Sequence, residues 1–190
     1  MATLAQCAKA LRGTLAPAGF SLKSSTWRRN MGDFIDIIHF ERDKLGMPAF
    51  TVGVGVLTKS AFEKAWGEQV SVFPRAMECT VHDDLMRLSS ERMSWWDMNE
   101  ASLMEVTELV RKVALPFLEE MHSRERQIRY LRERKIAREW IMPLYEAILM
   151  HECGEREEAC LKLRNFKAKY SEIIEKRASE IAARLNCPKL

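Results

Sequence analysis

His82, Asp83 and Asp84 place an imidazole beside two carboxylates in three consecutive residues. Such groups are ligands for divalent metals, and each can act as a general base. Neighbours in sequence converge on one ion only where the backbone turns sharply, so the competing interpretation is a strand end followed by a helix cap. The sequence therefore predicts no metal and no cofactor, and these three residues are the candidates should a metal bind.

A second group of metal-ligand types lies near Gly154, where His151, Cys153 and Cys160 are close in sequence. Soft ligands at this spacing suit zinc, but no fourth ligand is evident, and buried cysteine is common as a small apolar residue. The chain has five cysteines, an odd number, and no pair has CxxC spacing. This pattern argues against a disulfide framework and a zinc knuckle, and it favours a reducing compartment.

Gly53 and Gly55 interrupt an alternation of valines in the stretch TVGVGVLT. They fit neither GxGxxG nor GxxxxGK[ST], so the pattern indicates a strand and not a phosphate loop. One face of that strand is nearly bare, which allows a helix, another backbone or a ligand to approach closely. Close packing is the favoured interpretation, and a ligand groove formed by Gly53, Gly55 and His39 is the alternative.

The stretch 124–138 is strongly basic, with seven basic and two acidic residues. As a helix it suits three environments, which are solvent, an acidic protein surface and phosphates. A solvated helix is the first interpretation, a protein partner the second and nucleic acid the last. The predicted partner-binding residues of this segment are Arg126, Arg129, Arg132 and Arg134.

Trp95 and Trp96 are the aromatic candidates for a partner-binding site. Tryptophan and arginine are over-represented among the residues that dominate protein interfaces. Adjacent residues in a strand point in opposite directions, so one of the two rings is expected to face solvent. The competing interpretation is that both rings pack in a core.

Two dense strand patterns, over 33–42 and 49–58, organise the first part of the chain, and a short turn joins them. The first is apolar on both parities, which is typical of a strand covered on both faces. An amphipathic helix is predicted over 2–16, and an incoming hairpin strand over 20–29.

Helical periodicity dominates after Glu100. The first stripe consists of Leu103, Val106, Val110, Val113 and Phe117. Residues 122–151 are predicted to form one long helix with a kink at Pro143, and helices continue to Leu185. The predicted fold is α+β, with a small antiparallel sheet of three to five strands packed with helices over 1–122, followed by a helical C-terminal extension over 123–190.

Several short motifs of the first 120 residues occur together in one known pattern. They are Leu15-Ala16-Pro17-Ala18-Gly19-Phe20, Trp27-Arg28-Arg29, the strands at 35–40 and 50–56, Trp95-Trp96 and 115–118. Over roughly residues 4–120 the chain thereby resembles family 4304 of the domains of unknown function, although Gly53 stands where many relatives carry asparagine. The resemblance implies an α+β fold with a small antiparallel sheet. Some relatives resemble, or lie among, bacterial toxin–antitoxin-like and contact-toxin immunity systems, which suggests a binding role without catalytic residues.

Charge is unevenly distributed, although the net charge is only +3. Residues 1–122 carry 14 basic and 16 acidic residues, whereas residues 123–190 carry 16 and 11. The N-terminal stretch has no apolar run typical of a signal peptide, and no stretch of about 18 apolar residues occurs. Neither a leader nor a membrane span is predicted, and the default location is the cytoplasm.

No linear catalytic signature such as GxSxG or HExxH occurs in the chain. The leading hypothesis is therefore a non-catalytic cytoplasmic protein of bacterial type that binds one protein partner, as an immunity protein or an inhibitor that covers a toxin's active surface. The alternative is a nucleic-acid-associated accessory protein that uses the basic segment 124–138. A small-ligand or metal-binding enzyme is the third hypothesis.

Overall fold

A computed structural model describes residues 3–43, 47–90, 95–133, 141–166 and 172–188, called the described residues below. The strands are β1 (Ser21–Lys23), β2 (Thr26–Met31), β3 (Phe34–Arg42), β4 (Ala49–Thr58), β5 (Val81–Asp84) and β6 (Trp96–Asp97). The α-helices are α1 (Leu4–Ala10), α2 (Arg12–Leu15), α3 (Lys59–Trp66), α4 (Leu85–Ser90), α5 (Glu100–Leu109), α6 (Leu115–Glu120), α7 (Arg124–Glu133), α8 (Met142–Glu152), α9 (Arg156–Arg164) and α10 (Glu172–Arg184). A 3-10 turn covers Ala76–Glu78, and a π-helix covers Val110–Ala114.

Strands β1 to β5 form one antiparallel sheet in chain order, and β6 pairs with the first residues of β4. The two central strands are those that the sequence predicted over 33–42 and 49–58. The predicted α+β fold with a small antiparallel sheet and a helical C-terminal region is confirmed. The two-residue β6 is the sixth strand of the sheet.

The face of the sheet that α1 covers carries the aromatic core of this part of the chain. Directly paired residues of antiparallel strands project to the same side, and Trp27 of β2 is paired with Ile38 of β3. The indole N–H of Trp27 donates a 2.8 Å hydrogen bond to the carbonyl of Ala8, because α1 packs against β3. Phe40 and Phe50 stack with their ring centroids 5.5 Å apart. Aromatic packing thus joins the helix to both central strands.

The opposite face of the sheet is called the glycine face, and it carries Thr26, His39, Gly53, Gly55 and His82. Thr26 is paired with His39, and Gly55 is paired with His82. His39 and His82 are half-buried, so this face remains partly open to solvent.

A π-helix changes the buried face of the helical stretch that begins at α5. The fully buried residues there are Val106, Val110, Ala114 and Leu118. The π-helix has i→i+5 hydrogen bonds and holds one residue more than an α-helical turn, so the buried stripe moves by one position. The predicted stripe residues Val113 and Phe117 are therefore only half-buried.

The chain divides into two compact units. The first comprises residues 1–57 and 74–120, and the second comprises residues 58–73 and 121–190. Helix α3 thus belongs to the same unit as the C-terminal helices. The domains drawn from the sequence, 1–122 and 123–190, stay a prediction.

Helix α8 is the centre of the second unit and packs against α3, α7, α9 and α10. Eight of its eleven residues are buried, which is typical of a helix covered on all sides. The single long helix predicted over 122–151 is wrong, because α7 and α8 are separate helices that pack against each other. Residues 134–140 between them lie outside the described residues.

A disulfide bond joins Cys160 of α9 to Cys187 beyond α10, with the two Cα atoms 5.5 Å apart. It corrects the expectation drawn from the odd number and the spacing of the cysteines. The two residues are 27 apart in sequence and meet because α9 and α10 pack together. Cys160 is therefore not available as a zinc ligand with His151 and Cys153.

Candidate binding surfaces

The open part of the glycine face surrounds Gly53. On one side, Thr26 Oγ1 and His39 Nδ1 share a hydrogen bond of 2.8 Å. On the other side, a Cβ atom added at Gly53 would lie 3.5 Å from His82 Nε2. The structure thus brings His39 and His82 to the two sides of a position without a side chain.

The electrostatic environment of His39 favours its neutral form. Burial lowers the pKa of His39, the charge of Glu41 acts in the opposite direction, and Arg28 and His82 lower the pKa again. The net effect places the pKa below its usual value, so the imidazole is uncharged at pH 7. This side of Gly53 therefore offers hydrogen bonds and no fixed charge.

Gly55 does not contribute to a groove, which corrects the sequence-based candidate. A Cβ atom there would lie 2.7 Å from the carbonyl oxygen of Val81 and 2.8 Å from Cys79 Sγ. Neighbouring backbone and a buried thiol therefore already fill the space beside Gly55. The close packing that the bare strand face predicted is found at this position.

Replacing Gly55 with alanine is expected to lower the free energy of unfolding by about 1–3 kcal/mol, because β5 must move away from β4. Gly53→Ala is the matched control, since its new methyl group meets His82 at an ordinary contact distance. We expect its effect to be near zero or slightly stabilising, because alanine restricts the unfolded chain. Urea denaturation of both variants gives the comparison, and equal losses would contradict the close packing at Gly55.

His82, Asp83 and Asp84 do not converge on one point. Asp83 is buried, and its carboxylate lies 3.3 Å from Arg87 Nε. Asp84, which is paired with Gly53, accepts hydrogen bonds from the hydroxyl of Thr51 and the backbone N–H of Met86. Successive strand residues alternate between faces, so Asp83 projects to the face opposite His82 and Asp84, and the carboxylate of Asp84 is engaged by Thr51 and Met86. No group of three metal-ligating side chains occurs among the described residues.

The two adjacent tryptophans have opposite environments. Trp96 is only 3% exposed, and its ring stacks on Phe50 with a centroid distance of 6.0 Å. Its indole N–H has no acceptor within the described parts of the chain. Trp96 is therefore a core residue, and its assignment to a partner-binding surface is wrong. Trp95 is 48% exposed and is the ring that solvent or a partner can reach.

The predicted basic anchors differ in their surroundings. Arg126 and Arg129 are exposed on α7. Arg132 is a structural residue, because its guanidinium pairs with Glu146 at 3.0 Å and Glu155 at 3.2 Å. Arg134 lies outside the described residues.

A second ion-pair cluster lies at the C-terminal end of α8. Glu152 is largely buried and accepts from Lys64 of α3 at 2.5 Å and from Arg124 of α7 at 2.7 Å. Burial raises the pKa of Glu152, but these two cations lower it, and the net pKa is below its usual value. The carboxylate is therefore ionised at neutral pH, and Arg124 acts within the helical unit.

The buried charge of the first unit was not singled out from the sequence. Asp36 is fully buried and accepts from Arg29, whose guanidinium also pairs with Glu119 at 2.6 Å. The hairpin turn predicted at 30–33 could have indicated this ion pair, because a hairpin turn places the residues on either side of it opposite each other. Arg29 and Asp36 are paired in register for this reason.

An antiparallel sheet with helices on one face and a partly open glycine face defines an α+β protein. A family model described as Domain of unknown function (DUF4304) matches residues 11–120, more than half of the chain. The chain belongs to this family, which confirms the resemblance seen in the sequence. Neither a curated protein nor a solved structure matches the chain. None of the described helices is long and apolar enough to cross a membrane.

Proposed function

We propose that this protein is a non-catalytic binding protein whose contact with one protein partner is centred on Trp95. The observation that carries the proposal is the half-exposed ring of Trp95 beside the fully packed ring of Trp96. Because Trp96 holds the backbone of β6 in the sheet, Trp95 is presented from a fixed position. A rigid, exposed tryptophan can bury a large area at a low entropic cost.

The finer proposal is that the partner is a toxin and that binding covers the toxin's active surface. The resemblance described for the sequence supports it, because that resemblance implies that some relatives resemble, or lie among, bacterial immunity systems. An inhibitor of this kind needs a complementary surface and no catalytic group. The absence of linear catalytic motifs in the chain is compatible with this role.

The ion pairs of α7 favour a protein partner over nucleic acid. Arg124 and Arg132, two of the four arginines of this helix, are paired with carboxylates of the same helical unit. Phosphate contacts would have to compete with these pairs. Nucleic acid is therefore expected to bind along this helix more weakly than the charge of its sequence suggests.

Replacing Trp95 with alanine is expected to weaken binding about 30-fold, which corresponds to the loss of an interface residue worth about 2 kcal/mol. The partner is captured from a nuclease-treated lysate of the native cell, identified, purified and titrated against wild type and variant by calorimetry. Leu161→Ala is the matched control, because Leu161 is an exposed apolar residue on α9. Unchanged affinity in Trp95→Ala would remove Trp95 from the interface, and the lack of any stoichiometric protein partner would overturn the proposal.

A further inference from the structure

The surface around Trp95 combines exposed apolar side chains with one sign of charge. The stretch from Trp95 to Val110 contains four acidic residues and no lysine or arginine, in a chain whose net charge is +3. Two methionines are also exposed, Met47 by 61% and Met104 by 70%. Isolated exposed apolar residues are ordinary, but three large ones on connected elements that also carry acidic residues suit an interaction surface.

Backbone contacts hold these residues in neighbouring elements of the first unit. Ala49 of β4 is paired with Asp97 of β6, and the N–H of Met98 donates to the carbonyl of Pro48 at 2.9 Å. The turn that carries Met47 is thereby connected to the strand that follows Trp95. Helix α5 starts three residues after β6, and the side chain of Asn99 caps it by accepting from the N–H of Ser102.

Helix geometry places Met104 beside two of the carboxylates. Residues four apart lie on the same side of a helix, so Glu100 and Met104 share one side of α5, and Glu105 is next to Met104 in the chain. Both carboxylates and Met104 are exposed. The first two turns of α5 thus present a flexible apolar side chain between negative charges.

Three of the four carboxylates are not neutralised by described parts of the protein. Glu108 pairs with Arg111 at 3.0 Å and with Lys112 at 2.9 Å. Asp97, Glu100 and Glu105 form no ion pair with any described residue and are exposed. As far as the described residues go, their charge is screened by solvent and salt and is available to a partner.

We infer that this surface, called the acidic face and formed by Met47, Trp95, Asp97, Glu100, Met104 and Glu105, binds a basic surface of a protein partner. Lysine or arginine side chains of the partner pair with the three carboxylates, and a cationic or apolar side chain lies on Trp95. The inference rests on the proposed protein-binding function and adds the charge of the partner. It fits a partner that itself acts on nucleic acid, because such proteins carry basic surfaces.

Charge complementarity acts mainly on the rate of association. Reversing the three charges in D97K/E100K/E105K is therefore expected to lower the association rate constant with the purified partner about 10- to 100-fold at low salt. The matched control is E157K/E158K/E172K, which makes the same change in net charge. These three glutamates are also exposed, lie in the first turns of α9 and α10, and form no ion pair with a described residue. The control is expected to change the rate less than twofold.

A polycation of known composition tests the acidic face without the partner. Poly-L-lysine binds a protein of positive net charge only through a local acidic surface, so wild type is expected to bind it at low salt. The acidic-face variant should lose this binding, and the control should keep it. If the charge reversal disturbs folding, as judged by the thermal midpoint, the neutral variant D97N/E100Q/E105Q replaces it with about half the effect on the logarithm of the rate.

The outcomes distinguish the two levels of the proposal. A partner that depends on Trp95 but is acidic, or whose association rate responds equally to both triple variants, overturns the acidic-face inference and leaves the binding function intact. Loss of poly-L-lysine binding in both variants would also overturn the inference. The absence of any Trp95-dependent partner overturns the proposed function itself, and the inference with it.

Discussion

Arg29→Ala is expected to lower the free energy of unfolding by about 3–5 kcal/mol, because it leaves a buried carboxylate without its counter-charge. Asp36 has no solvent exposure, and Arg29 is its ion-pair partner across the β2–β3 hairpin. The guanidinium also lies 4.7 Å above the ring of Phe20, so its loss removes a cation–π contact as well. Burial lowers the pKa of Arg29, but Asp36 and Glu119 raise it, and the net shift is upward. The folded state therefore stabilises the charged arginine.

The measurement is urea denaturation of Arg29→Ala beside two further variants. Glu119→Gln is the matched control, because it removes the exposed partner of Arg29 and is expected to cost less than about 1 kcal/mol. The double variant R29M/D36L removes both buried charges and is expected to recover much of the stability, since no uncompensated charge remains. The double variant also gives a readout if Arg29→Ala does not fold. Equal losses in Arg29→Ala and Glu119→Gln would show that Asp36 does not need Arg29.

Without reductant, Cys160→Ser is expected to destabilise the helical unit by about 3.5 kcal/mol. The figure is the loop-closure entropy for two cysteines that are 27 residues apart. The reason is that the disulfide to Cys187 restricts the unfolded chain. Thermal unfolding is followed with and without dithiothreitol. Wild type should fall to the level of the variant when reduced, and the variant should not respond.

Cys153→Ser is the control for the disulfide, because Cys153 is not in a disulfide and is only partly buried. It is expected to leave the midpoint nearly unchanged and to retain the response to reductant. If reduction leaves the wild-type midpoint unchanged, the Cys160–Cys187 bond does not stabilise the unit. A response lost in Cys153→Ser would indicate that a different cysteine pair carries the effect.

The central strands could be predicted because their signals are local. The alternation of Val52, Val54 and Val56 depends on the side-chain period of a strand, and no distant residue is needed to read it. The structure has β4 over Ala49–Thr58 with these valines fully buried. The fold class followed from such signals together with the helical periodicity of the later stretch.

The candidate sites were less predictable because they depend on contacts between distant residues. That Trp95 is exposed and Trp96 buried depends on which side of β6 meets Phe50, more than 40 residues earlier in the chain. From the sequence, Arg132 is expected to be a cation available to a partner, because it lies in a basic helix. In the structure Glu146 of α8 pairs with it. The disulfide likewise depends on helix packing, and cysteine spacing alone does not reveal it.

The π-helix Val110–Ala114 also bears on the evolutionary history of the helix that contains it. Successive buried residues from Val106 to Leu118 are four apart, and on a regular α-helix each such step would turn the stripe by about 40°. Removing one residue between Val110 and Ala114 would restore an ordinary alternation of three and four. A π-helical segment of this kind can accommodate one extra residue without turning the two ends of the helix relative to each other. Relatives that lack this residue would align with a single gap here and still keep the residue equivalent to Glu119 beside Arg29.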